Sequence, residues 1–273
     1  MSSDKQIVFI TGGHSGIGYE AVKALCKSSQ SYEIIIGSRT PSKGEKAILS
    51  LQKEVPQSKS TLTVLQTDLE SDSSLEKAAE AIKTKYGRLD VLVNNAGASF
   101  DIKLASGEIS MRDAYNAAWN TNVVGPQILT THLAPLLINS SNPRLVFVSS
   151  GTSSLADTLH TDHPATQALN KPLAAGWPKK ETFIPMTSYR ASKTGLNIIM
   201  RDWVRVLTND GVKVWGLEPG FLATEFGGAD PKDLRALGAG EPSDGGEIIR
   251  SVVEGERDAD VGRIVTKDGL QRW

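Results

Sequence analysis

The chain has 273 residues and a mass of 29.3 kDa, room for one large domain or two small ones around a sizeable core. Lys plus Arg number 30 against 31 Asp plus Glu, and no basic stripe is present, so nucleic acid is not an expected partner. A hydrophobic content of 39% excludes disorder, and no apolar run approaches the ~18 residues of a membrane span.

The first residues, Met1 to Gln6, are short and polar and leave no room for a secretory signal. Leu270 to Trp273 match no lipid-attachment or peroxisomal signal, so a cytoplasmic location is expected. The single cysteine, Cys26, shares an apolar helical face with Val22 and Leu25 and is expected to pack in the core.

Strands are predicted over 7–10, 33–37, 62–65, 91–93, 145–149, 213–217 and 263–265. Helices are predicted between them over 17–28, 43–54, 75–86, 112–137 and 189–207. Strand–helix alternation of this kind implies a doubly wound α/β fold, with seven parallel strands covered on both faces. Right-handed crossovers then place every strand's carboxyl end on one edge, where ligands bind. Residues 151–188 break the rhythm with four prolines and little periodicity. Leu155, Leu159, Trp177, Phe183 and Met186 predict that this segment is a packed insert within a single domain spanning 1–273.

Thr11-Gly-Gly-His-Ser-Gly-Ile-Gly18 lies between the first strand and the first helix. Glycines at 12, 16 and 18 suit a tight turn and close backbone approach, and the helix N-terminus offers amides to a pyrophosphate. This is the pattern of a Rossmann-type dinucleotide site. An NAD site places a carboxylate near the end of the second strand, yet Ile36-Gly-Ser-Arg-Thr40 contains none. Arg39 can instead meet a 2′-phosphate through a charge-assisted fork, which predicts NADP(H).

Further along the chain stand Asn94-Asn-Ala-Gly97, Ser149-Ser150 at a strand end, Tyr189-x-x-x-Lys193 and Pro219-Gly220. With the glycine loop, these five motifs resemble, in order and context, the short-chain dehydrogenases/reductases over about Ile7 to Val265. The long gap before Tyr189 is similar to the insert of the monomeric carbonyl reductases. A second Tyr-x-x-x-Lys pair, Tyr19 to Lys23, follows the phosphate loop at once and reads as structural. Residues four apart share one helical face, so a single bound ribose can touch both Tyr189 and Lys193. The Lys193 ammonium is expected to favour the Tyr189 phenolate.

The resemblance implies catalytic roles for Asn122, Ser150, Tyr189 and Lys193, with Ser149 and Ser153 left open as alternatives to Ser150. It implies cofactor contacts from Gly12, His14, Ser15, Gly16, Ile17, Gly18 and Arg39, and from Asp68 and Leu69 at the adenine. Asn95, Ala96 and Gly97 would line the cofactor floor, and Tyr189 and Lys193 would touch the ribose. Asn122 would also hold a water linking Lys193 to solvent, and Thr224, following Pro219 and Gly220, would reach the carboxamide or phosphates. His160, Asp157 and His163 read as solvated loop residues, and no metal is expected.

The expected activity is NADPH-dependent reduction of a ketone or aldehyde on a mainly apolar small molecule. Phe100, Trp177, Phe183, Phe221 and Phe226 would wall the substrate. An NAD-dependent alcohol dehydrogenase and a non-catalytic dinucleotide-sensing protein are the alternatives. Small-molecule substrate is the expected partner, with neither nucleic acid nor membrane. Family members often pair through helices near Arg112 and Tyr189, and an insert there would favour a monomer; the oligomeric state stays open.

Overall fold

Ile7-Val-Phe-Ile10 is apolar on both faces, and a strand of that kind has to lie between two layers. The computed structural model, which describes residues 5–159, 169–179, 184, 186–228 and 230–273, places it there. Strand β1 (Gln6–Thr11) sits at the centre of one sheet with β2 (Tyr32–Ser38) and β3 (Thr61–Gln66) on one side. On the other side lie β4 (Val91–Asn94), β5 (Arg144–Val148), β6 (Lys213–Leu217) and β7 (Ile264–Thr266). All pairings among these seven strands are parallel.

Alternation splits the core between the two faces. Ile7 and Phe9 join Leu92, Leu145, Phe147 and Val214 on one face, beneath α3 (Asp72–Tyr86), α6 (Gly125–Ile138) and the helix Thr187–Leu207. Val8 and Ile10 join Val91, Val93, Val146 and Trp215 on the other, beneath α1 (Gly16–Lys27) and the helix Pro242–Val253. The strand order reverses direction between β1 and β4, which opens a crevice at their carboxyl ends. Cys26 is buried on the α1 side, as expected.

Four expectations need correction. The sheet has eight strands, because Gly269–Leu270 turns back antiparallel on β7 after the two-residue turn Lys267-Asp268. A two-residue strand leaves no alternation to detect. The predicted helix 112–137 is two helices, α5 (Met111–Trp119) and α6, joined through a π turn at Asn120–Val124. Pro126 has no amide to bond the carbonyl of Asn122 four residues back, so a regular α-helix cannot close there. Helices at Asp101–Ala105 (α4), Pro231–Ala236 and Pro242–Val253 carried no clear signal, the last because Pro-Ser-Asp-Gly-Gly246 reads as a turn.

The insert is also held differently from expectation. Leu155, Leu159 and Trp177 are exposed, Trp177 at 88%, and Phe183 lies outside the described residues. Polar bonds hold it among the described residues. Arg190 donates to Asn170 Oδ1 at 3.0 Å, and Asn170 donates to the Asp157 carbonyl at 2.9 Å. No helix among the described residues is long and apolar enough to cross a membrane.

Arg144 opens β5 and is only 3% exposed. Its guanidinium bonds to Asp258 at 2.5 and 3.2 Å and to the Val252 carbonyl, which ties the sheet to the turn after the helix Pro242–Val253. The Arg144 hydrogen bond holds the Asp258 carboxyl below its ordinary value. That contribution is complete above the ordinary carboxylate range and is lost as pH falls through the lowered value. Asp258 is itself 36% exposed, so solvent screens the pair, and Asp258→Ala should cost about 1–2 kcal/mol at neutral pH by urea unfolding, chiefly from leaving the buried Arg144 without its carboxylate. The gap to the wild type should narrow in acid.

Candidate active site

The loop after β1 is built for close approach. Gly12 and Gly16 have φ of +67° and +53°, and a Cβ on Gly18 would lie 2.5 Å from the Gly12 carbonyl oxygen. Thr11 locks the loop to β4. Its hydroxyl accepts the amides of Asn95 and Ala96, each at 3.0 Å, and its carbonyl accepts from Asn95 Nδ2 at 2.8 Å. Ser15 and Gly16 are exposed where α1 starts, and Thr224 stands 3.8 Å from the position a Cβ on Gly16 would take. A diphosphate fits this cradle, since amides are presented and side chains are absent.

At the end of β2, Arg39 is exposed and no carboxylate is adjacent in the chain. The His14 imidazole is held below its ordinary value by burial and by the positive charges of Lys43 and Arg39. Its Nδ1 is buried without a partner among the described residues. Arg39 and Lys43 thus lie near enough to His14 for their charges to act on it. Asp68 is half-buried and accepts the Glu70 amide at 3.1 Å, while Leu69 packs in the core.

Beyond β5 the proposed reacting groups come together. Lys193 is buried, and its Nζ donates to the Val148 carbonyl at 2.7 Å. The same nitrogen lies 5.8 Å from the centre of the Tyr189 ring. Asn122 is fully buried, with Nδ2 donating to the Ala98 carbonyl at 2.8 Å and to Ser192 Oγ at 2.9 Å. Its Oδ1 accepts the Ala98 amide at 2.8 Å. Gly97 has to be a glycine here, because a Cβ would sit 2.8 Å from Asn122 Oδ1 and 3.4 Å from Lys193 Nζ.

Three candidate serines, Ser149, Ser150 and Ser153, follow β5, and their surroundings separate them. Ser149 donates to Asn197 Oδ1 at 2.5 Å, and Ser153 accepts from Asn197 Nδ2 at 2.9 Å. Both are buried and committed to that network. Ser150 caps the short turn that follows, accepting the Thr152 amide at 3.2 Å and sharing a hydrogen bond with the Thr152 hydroxyl at 3.0 Å, and it lies near enough to Tyr189 to pull the phenol's value down.

Burial dominates the electrostatics. It pushes the Tyr189 phenol up to about 12, against the Ser150 hydrogen bond and with the help of the Glu218 charge. It also pushes the Lys193 ammonium down to about 8. The expected stabilisation of phenolate by Lys193 is not among the influences on Tyr189: the ammonium is turned to the Val148 carbonyl, and burial penalises the charged form of both groups. Tyr19 has a different environment, bonded to Glu54 at 2.6 Å beside the Lys23–Glu54 ion pair. Burial and that carboxylate push its phenol up, which suits a surface tie.

Several residues at the site were not singled out from the sequence. Glu218 is half-buried, accepts the Gly220 amide at 2.7 Å, and is pushed up by burial. Gln271 Nε2 donates to the carbonyls of Ser150 and Gly151, both at 3.0 Å, and so braces the serine loop from 120 residues away. Asp101 meets the start of the Tyr189 helix. Only Glu218 had an available cue, its place directly before Pro219-Gly220. Phe226 packs on Tyr189 with ring centres 5.1 Å apart, and Phe221 is exposed nearby. A cavity of about 300 Å³ behind the Pro219–Leu222 turn contains Glu218 but none of Ser150, Tyr189 or Lys193. His160 and His163 lie outside the described residues.

A family signature described as short chain dehydrogenase matches residues 6–164. The chain is 45% identical over 267 residues to the short-chain dehydrogenase/reductase tropE of Talaromyces stipitatus, covering 98% of this chain and 97% of that one. It is 41% identical to the short-chain dehydrogenase/reductase eupG of a Phoma species, with 98% of each chain covered. An NADPH-bound carbonyl reductase from chicken fatty liver superposes with a TM-score of 0.75 at 21% identity, over 98% of this chain and 99% of that one. The chain belongs to the short-chain dehydrogenase/reductase family and is an oxidoreductase.

The depressed Lys193 has a measurable consequence. Its value is about 8 in the folded protein against 10.5 ordinarily, so the unfolded chain binds the extra proton between those limits. Stability should rise with pH across that window, by at most about 1.4 kcal/mol per pH unit from this group. Lys193→Met should lack that component when urea unfolding of the two proteins is compared from pH 8 to 10.

Proposed function

We propose that the protein reduces a ketone or aldehyde on a mainly apolar small molecule, with NADPH as the reductant. The observation that carries this reading is the convergence of Ser150, Tyr189 and Lys193 beyond the end of β5. When bound, the dinucleotide supplies a hydride to the carbonyl carbon. The Tyr189 hydroxyl delivers the proton to the carbonyl oxygen, and the Ser150 hydroxyl donates a hydrogen bond to that oxygen as charge develops. The product is the alcohol, with one hydride and one proton added across the double bond.

Lys193 holds the site together through Val148 and stands beside the Tyr189 ring, from where it would adjoin the ribose. Asn122 fixes Ala98 and Ser192 on either side of that pair. The preference for NADPH rests on Arg39, Lys43 and His14 at a strand end that lacks a carboxylate, a cluster suited to a 2′-phosphate. The NADPH bound in the chicken carbonyl reductase supports it. Phe226 and Phe221 form the apolar wall, while Trp177 is too exposed to contribute to it.

NADPH oxidation measured against a panel of ketones, aldehydes and quinones tests the reading. Tyr189→Phe should lose on the order of 10²-fold or more in turnover while still binding NADPH. Arg39→Asp should weaken NADPH at least tenfold relative to NADH. Full activity in Tyr189→Phe would remove the proton-donor role, and a wild-type preference for NADH would favour the NAD-dependent alternative.

A further inference from the structure

The helix that carries Tyr189 begins without a cap of its own. Met186, at the cap position, has φ 51° and provides no side-chain acceptor. The first amides of a helix have no partner inside it, and when buried they must find one elsewhere. Here they find Asp101, 87 residues earlier in the chain. Asp101 Oδ1 accepts the Ser188 amide at 3.0 Å, and Oδ2 accepts the Tyr189 amide at 3.1 Å. Oδ2 also accepts the hydroxyls of Ser188 at 2.9 Å and Ser99 at 3.1 Å. The carboxylate is 5% exposed and faces the positive end of a 21-residue helix.

The same short strap is tied to that helix a second time. Asn122 grips the amide and carbonyl of Ala98 and donates to Ser192, three residues after Tyr189. Residues 98–101 are thus fastened at one end to Tyr189 and at the other, through Asn122, to Ser192. The strap continues directly from Asn95–Gly97, the loop locked to Thr11 beneath the dinucleotide cradle.

We infer that Asp101 is a positioning residue for the reaction: it sets where the Tyr189 phenol stands relative to the dinucleotide floor. It acts through the Tyr189 backbone amide and the start of the helix, and its carboxylate does not meet the substrate. Four donors on one buried carboxylate define the position of a helix start more tightly than solvent can. A displacement of about 1 Å at a reacting group costs on the order of 10²-fold in rate. The inference rests on Tyr189 being the proton donor.

Asp101→Ala and the near-isosteric Asp101→Asn test it, with active sites counted by NADPH binding so that misfolded protein does not enter the rates. Asp101→Ala should lower kcat roughly 30- to 100-fold while KM and NADPH affinity move less than about threefold, a split that simple loss of folded protein does not produce. Asp101→Asn keeps one accepting oxygen and should recover part of that loss. Hydrogen exchange at the Ser188 and Tyr189 amides should be slow in the wild type and faster in both variants. Should Asp101→Ala fail to fold, Asp101→Asn decides alone. Wild-type turnover with unchanged kcat in Asp101→Asn, or fast exchange of these amides in the wild type, would overturn the inference and leave the reductase reading intact. A wild type that binds NADPH but reduces no carbonyl would overturn the reading, and this inference with it.

Discussion

A buried ammonium is difficult to accommodate, and much of the site follows from accommodating one. Lys193 is out of solvent, and its bond to the Val148 carbonyl is the polar contact that offsets part of its desolvation. That bond places Lys193 at the last residue of β5, at the carboxyl edge of the sheet. The same placement requires Gly97 to have no side chain, since a Cβ there would crowd both Lys193 and Asn122. Asn122 in turn must be carried inward on a widened helical turn to reach Ala98 and Ser192. One charge in a dry place therefore bears on a strand end, a glycine and an irregular helix.

The sheet supplies the frame for this. Its parallel strands collect every carboxyl end on one edge, and its reversal between β1 and β4 leaves the crevice for the dinucleotide. The two halves of the site are then made on opposite sides of that reversal: the glycine loop and basic corner beyond β1 and β2, the serine, tyrosine and lysine beyond β5. Thr11 joins them by bonding to Asn95 and Ala96 across the gap. The predicted cofactor side chain of Asn95 is thus also a structural tie between strands.

Much of this was legible in the chain itself. The seven parallel strands were found within a residue or two, because each is a short apolar run and a strand buried on both faces has no other composition. Tyr189 could be told from Tyr19 by context, and the Glu54 contact explains what Tyr19 does instead. The serine choice was open in the sequence and was narrowed by burial: Ser149 and Ser153 share Asn197, and Ser150 does not. The insert was misjudged, because Leu155, Leu159 and Trp177 suggest burial by composition while Arg190 and Asn170 hold the segment by polar bonds.

Sequence by itself determined the fold class and the family, and it singled out the glycine loop and the Tyr189–Lys193 pair that the proposed function rests on. Those features are local: periodicity, glycine spacing and a four-residue helical repeat are readable along a single stretch of chain. Only the tertiary structure decided which groups surround the pair. Asp101 and Gln271 reach the site from 88 and 82 residues away from Tyr189, and no pattern in the chain links them to it, while Glu218 had only its place before Pro219-Gly220 as a cue. The charge states depend on the same assembly, since the burial that lifts the Tyr189 phenol and depresses the Lys193 ammonium exists only once both layers are packed.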